Sequence, residues 1–261
     1  MKEKRIVFLG GKNIGAACLR FILQEGYDIA AVILNPRELY DKKRWYNSTA
    51  EVALSNGIPT LSFKTINSKE AIHFLEFLSP DLMFSIFFDE IYSQDIIQIP
   101  LIGMINLHMA LSEEYRGRFP CNYTILNREK RTGVTLHYID KGVDTGDIIG
   151  TMEVQIDKAD TARSLYNKCT AAGFELFKKY LASIIEGNAP RRKQRTADKV
   201  KVHTRKDLIS KEIDFSKSGS EVYDFIRAWT FPPFEPPYFY IGDKKMIIIP
   251  EEEGDLTYYE Y

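Results

Sequence analysis

Ile6-Val7-Phe8-Leu9-Gly10-Gly11-Lys12-Asn13-Ile14-Gly15, continued by the apolar-periodic stretch Ala16 to Leu23, decides the fold class. A short apolar run, a glycine-rich turn and an amphipathic stretch predict strand, turn and helix, the opening of an α/β sheet. Working outward, Ile29 to Leu34 reads as the next strand, and Thr49 to Asn56 and Lys69 to Leu78 as helices. Leu82 to Phe88 is a continuous apolar run suited to a strand covered on both faces. Gly103 to Leu107 and Gly133 to Ile139 are further strands, with Ile148 to Ile156 as partner of the second. Alternation of this kind implies a doubly wound, mostly parallel, Rossmann-like α/β sheet with helical crossovers. Thr161 to Glu186 has the spacing of one long helix, capped by Asp160 or Thr161 and ended by Gly187-Asn188.

The composition shifts after Pro190, where Arg191, Arg192, Lys193, Arg195, Lys199, Lys201, Arg205 and Lys206 crowd a short span. The expected division is a main domain over residues 1–189 and a C-terminal extension over 190–261. In the extension, Glu221 to Trp229 reads as a helix, and the proline-rich block from Phe231 to Pro237 cannot be helical. Tyr238 to Ile241 and Lys245 to Ile249, joined through Gly242-Asp243, form a small C-terminal β-hairpin appendage. The acidic residues from Glu251 to Asp255 read as a solvated end.

A chain of 261 residues, 44% of them hydrophobic, can bury a sizeable core. Its 35 basic and 36 acidic residues leave a net charge of -1, which disfavours extended contact with a nucleic-acid polymer. Cys18, Cys121 and Cys169 are odd in number, widely spaced and without a C-x-x-C pair, so a reducing cytoplasm fits and a thiolate metal site does not. The apolar run at the N-terminus ends at Gly10-Gly11, far short of a ~20-residue membrane span, so no membrane partner is expected.

The chemistry centres on Met104-Ile105-Asn106-Leu107-His108. Side chains alternate along a strand, so Asn106 and His108 project from one edge and converge. The polar loop Ser112 to Arg118 follows, which is where α/β sheets place ligand sites. The plainer alternative is that both residues only tie down that loop. Asp144 lies between Gly142 and Gly146, which let the backbone bend sharply and aim a carboxylate back at the strand end. Taken alone, such a Gly-x-Asp-x-Gly run is usually a turn.

Asn106-Leu107-His108, Tyr115-Arg116-Gly117, Thr132 to His137 and Asp144-Thr145-Gly146-Asp147-Ile148-Ile149, in this order and spacing, resemble the 10-formyltetrahydrofolate-dependent formyltransferases. The similarity covers residues 1 to 187 in layout, with its strongest motifs between 103 and 150. It implies a catalytic trio of Asn106, His108 and Asp144 and N10-formyltetrahydrofolate as formyl donor. Met109 to Glu114 replaces a proline-containing pattern of the family, so a differently shaped loop is expected there.

Attack of an amine on the formyl carbon develops an oxyanion and a cationic nitrogen. Asn106 is suited to donate to the oxyanion. His108 serves either as a protonated donor or as a neutral acceptor of the amine proton. The charge of Asp144 is expected to favour the protonated imidazole. The resemblance further implies that backbone groups near Phe87, Phe88, Asp89 and Ile91 grip the pterin, with most of those side chains in the core.

For the acceptor, Lys12 sits in a glycine turn expected to border the pocket, although the turn is neither a Walker sequence nor a full dinucleotide motif. Glu212 to Phe215, Ile226 to Ala228 and Phe231-Pro232 resemble the region that follows the catalytic domain in methionyl-tRNA and sugar formyltransferases. About thirty residues after Phe231 are too few for the five strands of a complete barrel. The short hairpin tail resembles that of the sugar N-formyltransferases, which implies as acceptor a dTDP-linked 3- or 4-amino-dideoxyhexose, used for bacterial surface polysaccharide such as the lipopolysaccharide O-antigen. Arg205, Lys206 and Arg227 are candidates for the diphosphate, and Trp229 and Phe231 for the base. The apolar Met246 to Ile249 strand is a candidate homodimer contact. Three rival readings stay open: a methionyl-tRNA formyltransferase-like enzyme, a metal hydrolase using His108, His137 and Asp140 or Asp144, and a non-catalytic nucleotide-sugar binding module. The resemblance implies no metal.

Overall fold

The computed structural model describes residues 4–36, 47–195, 200–207 and 210–251. Lys199 of the basic stretch and residues 252–255 of the acidic tail lie outside the described residues. The strands are β1 (Ile6–Gly10), β2 (Ile29–Ile33), β3 (Thr60–Leu61), β4 (Leu82–Ile86), β5 (Gly103–His108), β6 (Arg116–Gly117), β7 (Arg131–Tyr138) and β8 (Ile148–Gln155), followed by β9 (Val202–His203), β10 (Tyr238–Ile241) and β11 (Lys244–Ile247). Seven of them form one sheet in the order β3-β2-β1-β4-β5-β7-β8. Pairing is parallel as far as β5, and β7 and β8 are antiparallel.

Alternate side chains of the central strands enter two separate cores, which is the doubly wound arrangement the continuous apolar runs predict. Ile6, Phe8, Leu82, Phe84, Ile105 and Leu107 face one core. Val7, Leu9, Met83 and Met104 face the other. The first core is roofed by α1 (Lys12–Gln24) and by the long helix Ala162–Glu186, whose Phe177 meets Phe84 edge-on at 5.3 Å. That long helix starts behind a reciprocal cap between Thr161 and Ser164 and stops at left-handed Gly187, as its sequence predicts. Helix Lys69–Leu78 covers the opposite face through Ala71 and Leu75.

Two expectations change. Strand 82–88 ends at Ile86, because Phe87 and Asp89 take left-handed φ angles of 59° and 69° that break the ladder. The first helix begins at Lys12, not Ala16. The expected helices Thr49–Ser55 and Gly219–Trp229 and the hairpin β10–β11 are present within a residue or two of their predicted bounds. The short helices Gln94–Ile97 and Pro120–Leu126 and the β6–β9 pair have no strong signature in the sequence.

The chain beyond residue 190 is fastened to the body at several points. Arg192 and Ile148 exchange two backbone hydrogen bonds. Val202-His203 pairs with Arg116-Gly117. Asn122 on helix Pro120–Leu126 donates its amide to the Ala228 carbonyl at 2.6 Å. All three cysteines are buried free thiols. No helix among the described residues is long and apolar enough to cross a membrane.

Candidate active site

Strand β5 is where the sheet changes from parallel to antiparallel, and its last residues form the site. Asn106 is the register partner of Ser85 on β4 and of His137 on β7. Partners across an antiparallel pair share a face, so the amide of Asn106 and the ring of His137 stand side by side, with His108 two residues further along. Asn106 donates from Nδ2 to His137 Nε2 at 3.0 Å, while His137 Nδ1 donates to the Tyr138 carbonyl at 2.7 Å. The second Asn106 N–H reaches Asp144 Oδ1 at a long 3.3 Å.

Asp144 enters from the loop between β7 and β8. Its φ is 53°, a left-handed conformation for a residue with a side chain. The turn closes only because Gly146 lies against the strand: a Cβ there would sit 1.8 Å from the Tyr138 carbonyl oxygen. Asp144 Oδ2 then accepts from the backbone N–H of Gly117 at 2.9 Å and stands 3.5 Å from Nδ1 of His108. His108 Nε2 meets the Tyr115 carbonyl at 3.0 Å. A carbonyl can only accept, so the proton of a neutral His108 ring sits on Nε2 and Nδ1 is left as a base beside the carboxylate.

Burial pulls the His108 imidazole below its ordinary value, outweighing the opposing pull of Asp144 and the Tyr115 carbonyl, while His137 and Arg116 depress it further. Asp144 does favour the protonated ring, as expected, but desolvation is the larger effect and sets the net direction. Burial alone would raise the Asp144 carboxyl; His108, His137 and the Gly117 N–H together hold it far below the usual carboxylate range. The pair is therefore a neutral imidazole beside an ionised carboxylate.

Asn106, His108, His137 and Asp144 line a cavity of about 450 Å³. Phe87, Phe88, Asp89 and Ile91 line it too. Phe87 packs edge-on to Tyr166 at 5.8 Å. Phe88 is buried in the second core against Tyr92, whereas Ile91 is exposed. Asp89 bridges Arg118 and Arg205, the latter at 3.2 Å.

The acceptor candidates scatter. Lys12 opens α1 with a left-handed φ of 62° and is half-buried, outside the residues lining this cavity. Arg205 stands next to the lining residue Thr204, and both it and Lys206 are exposed. Arg227 is 6% exposed and its guanidinium pairs with Asp224 at 2.9 Å and donates to the Asp160 carbonyl at 2.9 Å. Trp229 is buried beside Phe119 and Tyr123. Phe231 packs on Tyr166 and Phe234. None of Arg227, Trp229 and Phe231 lines the cavity.

Sequence reasoning grouped His137 with His108 only in the metal reading, not beside Asn106, and missed Arg118, Phe119 and His203, which also line the cavity. Gly117 was visible within the Tyr115-Arg116-Gly117 motif. Among the described residues no group of three His, Cys, Asp or Glu side chains is placed to hold a metal ion.

The sheet thus switches direction at a strand carrying an amide and an imidazole, with a carboxylate looped back beside them, in a mostly parallel α/β fold. The family profile described as formyl transferase matches residues 4–181, and the chain belongs to the formyl transferase family. It is 37% identical over 229 residues to the methionyl-tRNA formyltransferase of Clostridioides difficile (strain 630), covering 86% of this chain and 73% of that protein. It is similar to the crystal structure of WlaRD, a sugar 3N-formyl transferase in the presence of dTDP and 5-N-formyl-THF, with 31% identity, a TM-score of 0.72 and coverage of 88% of this chain and 81% of that one. It is also similar to the N-formyltransferase from Helicobacter canadensis in complex with folinic acid and dTDP-3-aminofucose, with 30% identity, a TM-score of 0.71 and coverage of 87% and 80%.

Proposed function

We propose that this chain moves a formyl group from N10-formyltetrahydrofolate to the amine of a dTDP-linked 3- or 4-amino-dideoxyhexose, with Asn106, His108 and Asp144 as the catalytic residues. The observation that carries the reading is their convergence: one carboxylate lies within 3.5 Å of both the imidazole and the amide. The cavity suits a flat, partly polar donor. Phe87, Ile91, Ile139 and Val143 give it apolar walls, and the left-handed turn at 87–89 bends the backbone around its rim. Its volume falls in the roughly 300–1,000 Å³ range of small-molecule sites. The donor supplies an activated formyl carbon.

The roles follow from the atoms. Nδ1 of neutral His108 accepts the proton of the attacking amine, and the imidazolium so formed finds Asp144 Oδ2 already beside it. Both ring N–H groups are then satisfied, by Tyr115 and by Asp144. The Asn106 N–H held only at 3.3 Å by Asp144 is the one available to the developing oxyanion. His137 fixes the amide by accepting its other N–H.

The sugar acceptor is supported by the two solved relatives named for sugar N-formyl transfer. A methionyl-tRNA acceptor is the second reading, favoured by the relative from Clostridioides difficile. A net charge of -1 argues against it, because a phosphate polymer is held by basic surface. Arg205 is the first candidate for the sugar diphosphate, by its position at the cavity rim; Arg227 and Trp229 act through packing. We read residues 1–189 as the catalytic unit and 190–261 as an extension that completes its rim. The exposed Tyr240, Ile241 and Met246 of the hairpin suit a homodimer contact, and a cytoplasmic enzyme of surface-polysaccharide synthesis fits these substrates.

The deciding experiment supplies the protein and formyl donor with a panel of dTDP- and UDP-linked amino sugars and, separately, with methionyl-tRNA. Mass gain of one formyl group on a dTDP-amino sugar is expected. Formylation of methionyl-tRNA alone would establish the second reading.

A further inference from the structure

Gln194 lies in the segment between the long helix and β9, in a stretch whose sequence signals only charge. Its carboxamide makes three hydrogen bonds. Nε2 donates to the Asp144 carbonyl at 2.9 Å and to the Gly146 carbonyl at 2.8 Å. Oε1 accepts from Arg116 at 2.6 Å. Arg116 is itself fixed, being 1% exposed and donating from Nε to the Ser112 carbonyl at 2.8 Å. Arg116 also directly precedes Gly117, whose N–H holds the Asp144 carboxylate.

The two ends of the catalytic carboxylate are therefore held by one connected piece of structure: Gly117 fixes the side chain, and Gln194, anchored on Arg116, fixes the backbone. A left-handed residue with a side chain persists only when its surroundings over-determine it. Here the over-determining group is a side-chain amide spanning the carbonyls on either side of Thr145.

We infer that Gln194 is a positioning residue for the reaction, holding the Asp144 backbone so that its carboxylate stands between His108 and Asn106. The residue touches no reacting atom, and its kinetic role rests on the function proposed above. Displacing a catalytic group by about 1 Å costs on the order of a hundredfold in rate.

The test uses two variants of the full chain. Gln194→Met preserves the volume and removes all three hydrogen bonds. Gln194→Glu retains an acceptor for Arg116 but replaces the donor to the Asp144 loop with a carboxylate oxygen facing the Asp144 and Gly146 carbonyls. Imidazole titrations are followed by NMR on the protein without substrates, where His108 faces Asp144, His137 and Arg116. In Gln194→Met the His108 titration is expected to move to lower pH, because the carboxylate that favours its charged form leaves its place. Turnover in both variants is expected to fall by about ten- to a hundredfold with KM for donor and acceptor unchanged. Arg192→Met, which removes an exposed pair with Glu113, should leave both readouts at wild-type values.

A wild-type His108 titration in Gln194→Met overturns the inference. So does recovery of wild-type turnover in Gln194→Glu, since tethering Arg116 would then be the whole of the role. If Gln194→Met fails to fold, unchanged turnover in Gln194→Glu decides against the inference and the expected loss decides for it. Absence of any formylated product from the wild-type protein would remove the proposed function but leave the NMR comparison to decide on Gln194.

Discussion

The backbone N–H of Gly117 meets Asp144 Oδ2 at 2.9 Å, and that same oxygen stands 3.5 Å from Nδ1 of His108. A main-chain group thus aims the carboxylate, and it can do so only because residue 117 is a glycine. Its φ is 77°, and a Cβ there would lie 2.1 Å from the backbone oxygen of His203 on the paired strand. Gly117→Ala must strain this residue and push β6 from β9. The left-handed backbone alone costs about 1–3 kcal/mol. Urea unfolding should show a lower midpoint with an unchanged slope, together with reduced turnover. A wild-type midpoint would mean that the β6–β9 pair yields freely.

Asn106→Ala removes the only side-chain donor assigned to the oxyanion. Turnover is expected to fall by about 10²–10³, with substrate binding retained. Asp144→Asn preserves shape and removes the charge that stabilises the imidazolium, so kcat should again fall more than KM rises. Equilibrium binding measured beside steady-state kinetics separates these effects. Full activity in either variant would take that residue out of the chemistry.

The His108 ring is held below its ordinary value of 6.5 by burial. A base that must be neutral loses function as pH falls through its pKa. The acid limb of kcat/KM should therefore lie below pH 6.5, with a plateau from there through neutrality. Stability follows the same sign. A group whose folded pKa is depressed contributes stability that is present above its unfolded value and lost as pH falls. His108 thus begins to destabilise the fold below pH 6.5, and Asp144 below its ordinary 3.8. Activity lost as pH rises through the imidazole range, in place of this acid limb, would show that the ring works in its protonated form.

Asn106 and His108 were legible because strand alternation places residues two apart on one face, and this needs no tertiary information. The glycines around Asp144 signal only a sharp turn, and the residue was singled out by the motif that carries the family resemblance. His137 was not. Its neighbours Val134, Leu136 and Tyr138 are those of an ordinary strand, and its place beside Asn106 follows from the antiparallel register of β5 with β7, which a single sequence does not carry. The shortened β4 was missed for a related reason: Phe87 and Phe88 have strand propensity, and tertiary packing overrides it. Arg227 and Trp229 misled because a basic residue and an aromatic suggest a nucleotide equally well whether they face a pocket or a neighbouring helix.

Arg227 gives a direct check on that last point. Its guanidinium is buried against Asp224 and the Asp160 carbonyl, tying helix Gly219–Trp229 to the start of the long helix. Removing Arg227 strips the Asp160 carbonyl of this donor while Asp224 keeps Arg128 at 2.8 Å, so the loss is that of buried charged hydrogen bonds, about 1.5–3 kcal/mol. Arg227→Ala should lower thermal and urea stability by an amount of this order. At temperatures where it stays folded, KM for the sugar nucleotide should match the wild type. A normal melt combined with a raised KM would return Arg227 to the substrate.

At the cavity rim the charges are arranged differently. Asp89, held by a left-handed backbone, pairs with both Arg118 and Arg205, and all three side chains are substantially exposed. Exposed pairs of this kind are worth only about 0–1 kcal/mol, so a diphosphate can displace the carboxylate at small cost. Arg205→Met should therefore raise KM for the nucleotide sugar with kcat little changed, because the residue touches none of the catalytic trio. Asp89→Asn should do the opposite and lower that KM, since it releases both guanidinium groups while keeping the shape of the turn. Both effects should shrink as ionic strength rises, as expected for contacts screened by solvent. If Arg205→Met leaves KM unchanged at low salt, the phosphates are held elsewhere, and the ion pair with Asp89 serves only to fold the C-terminal segment over the rim.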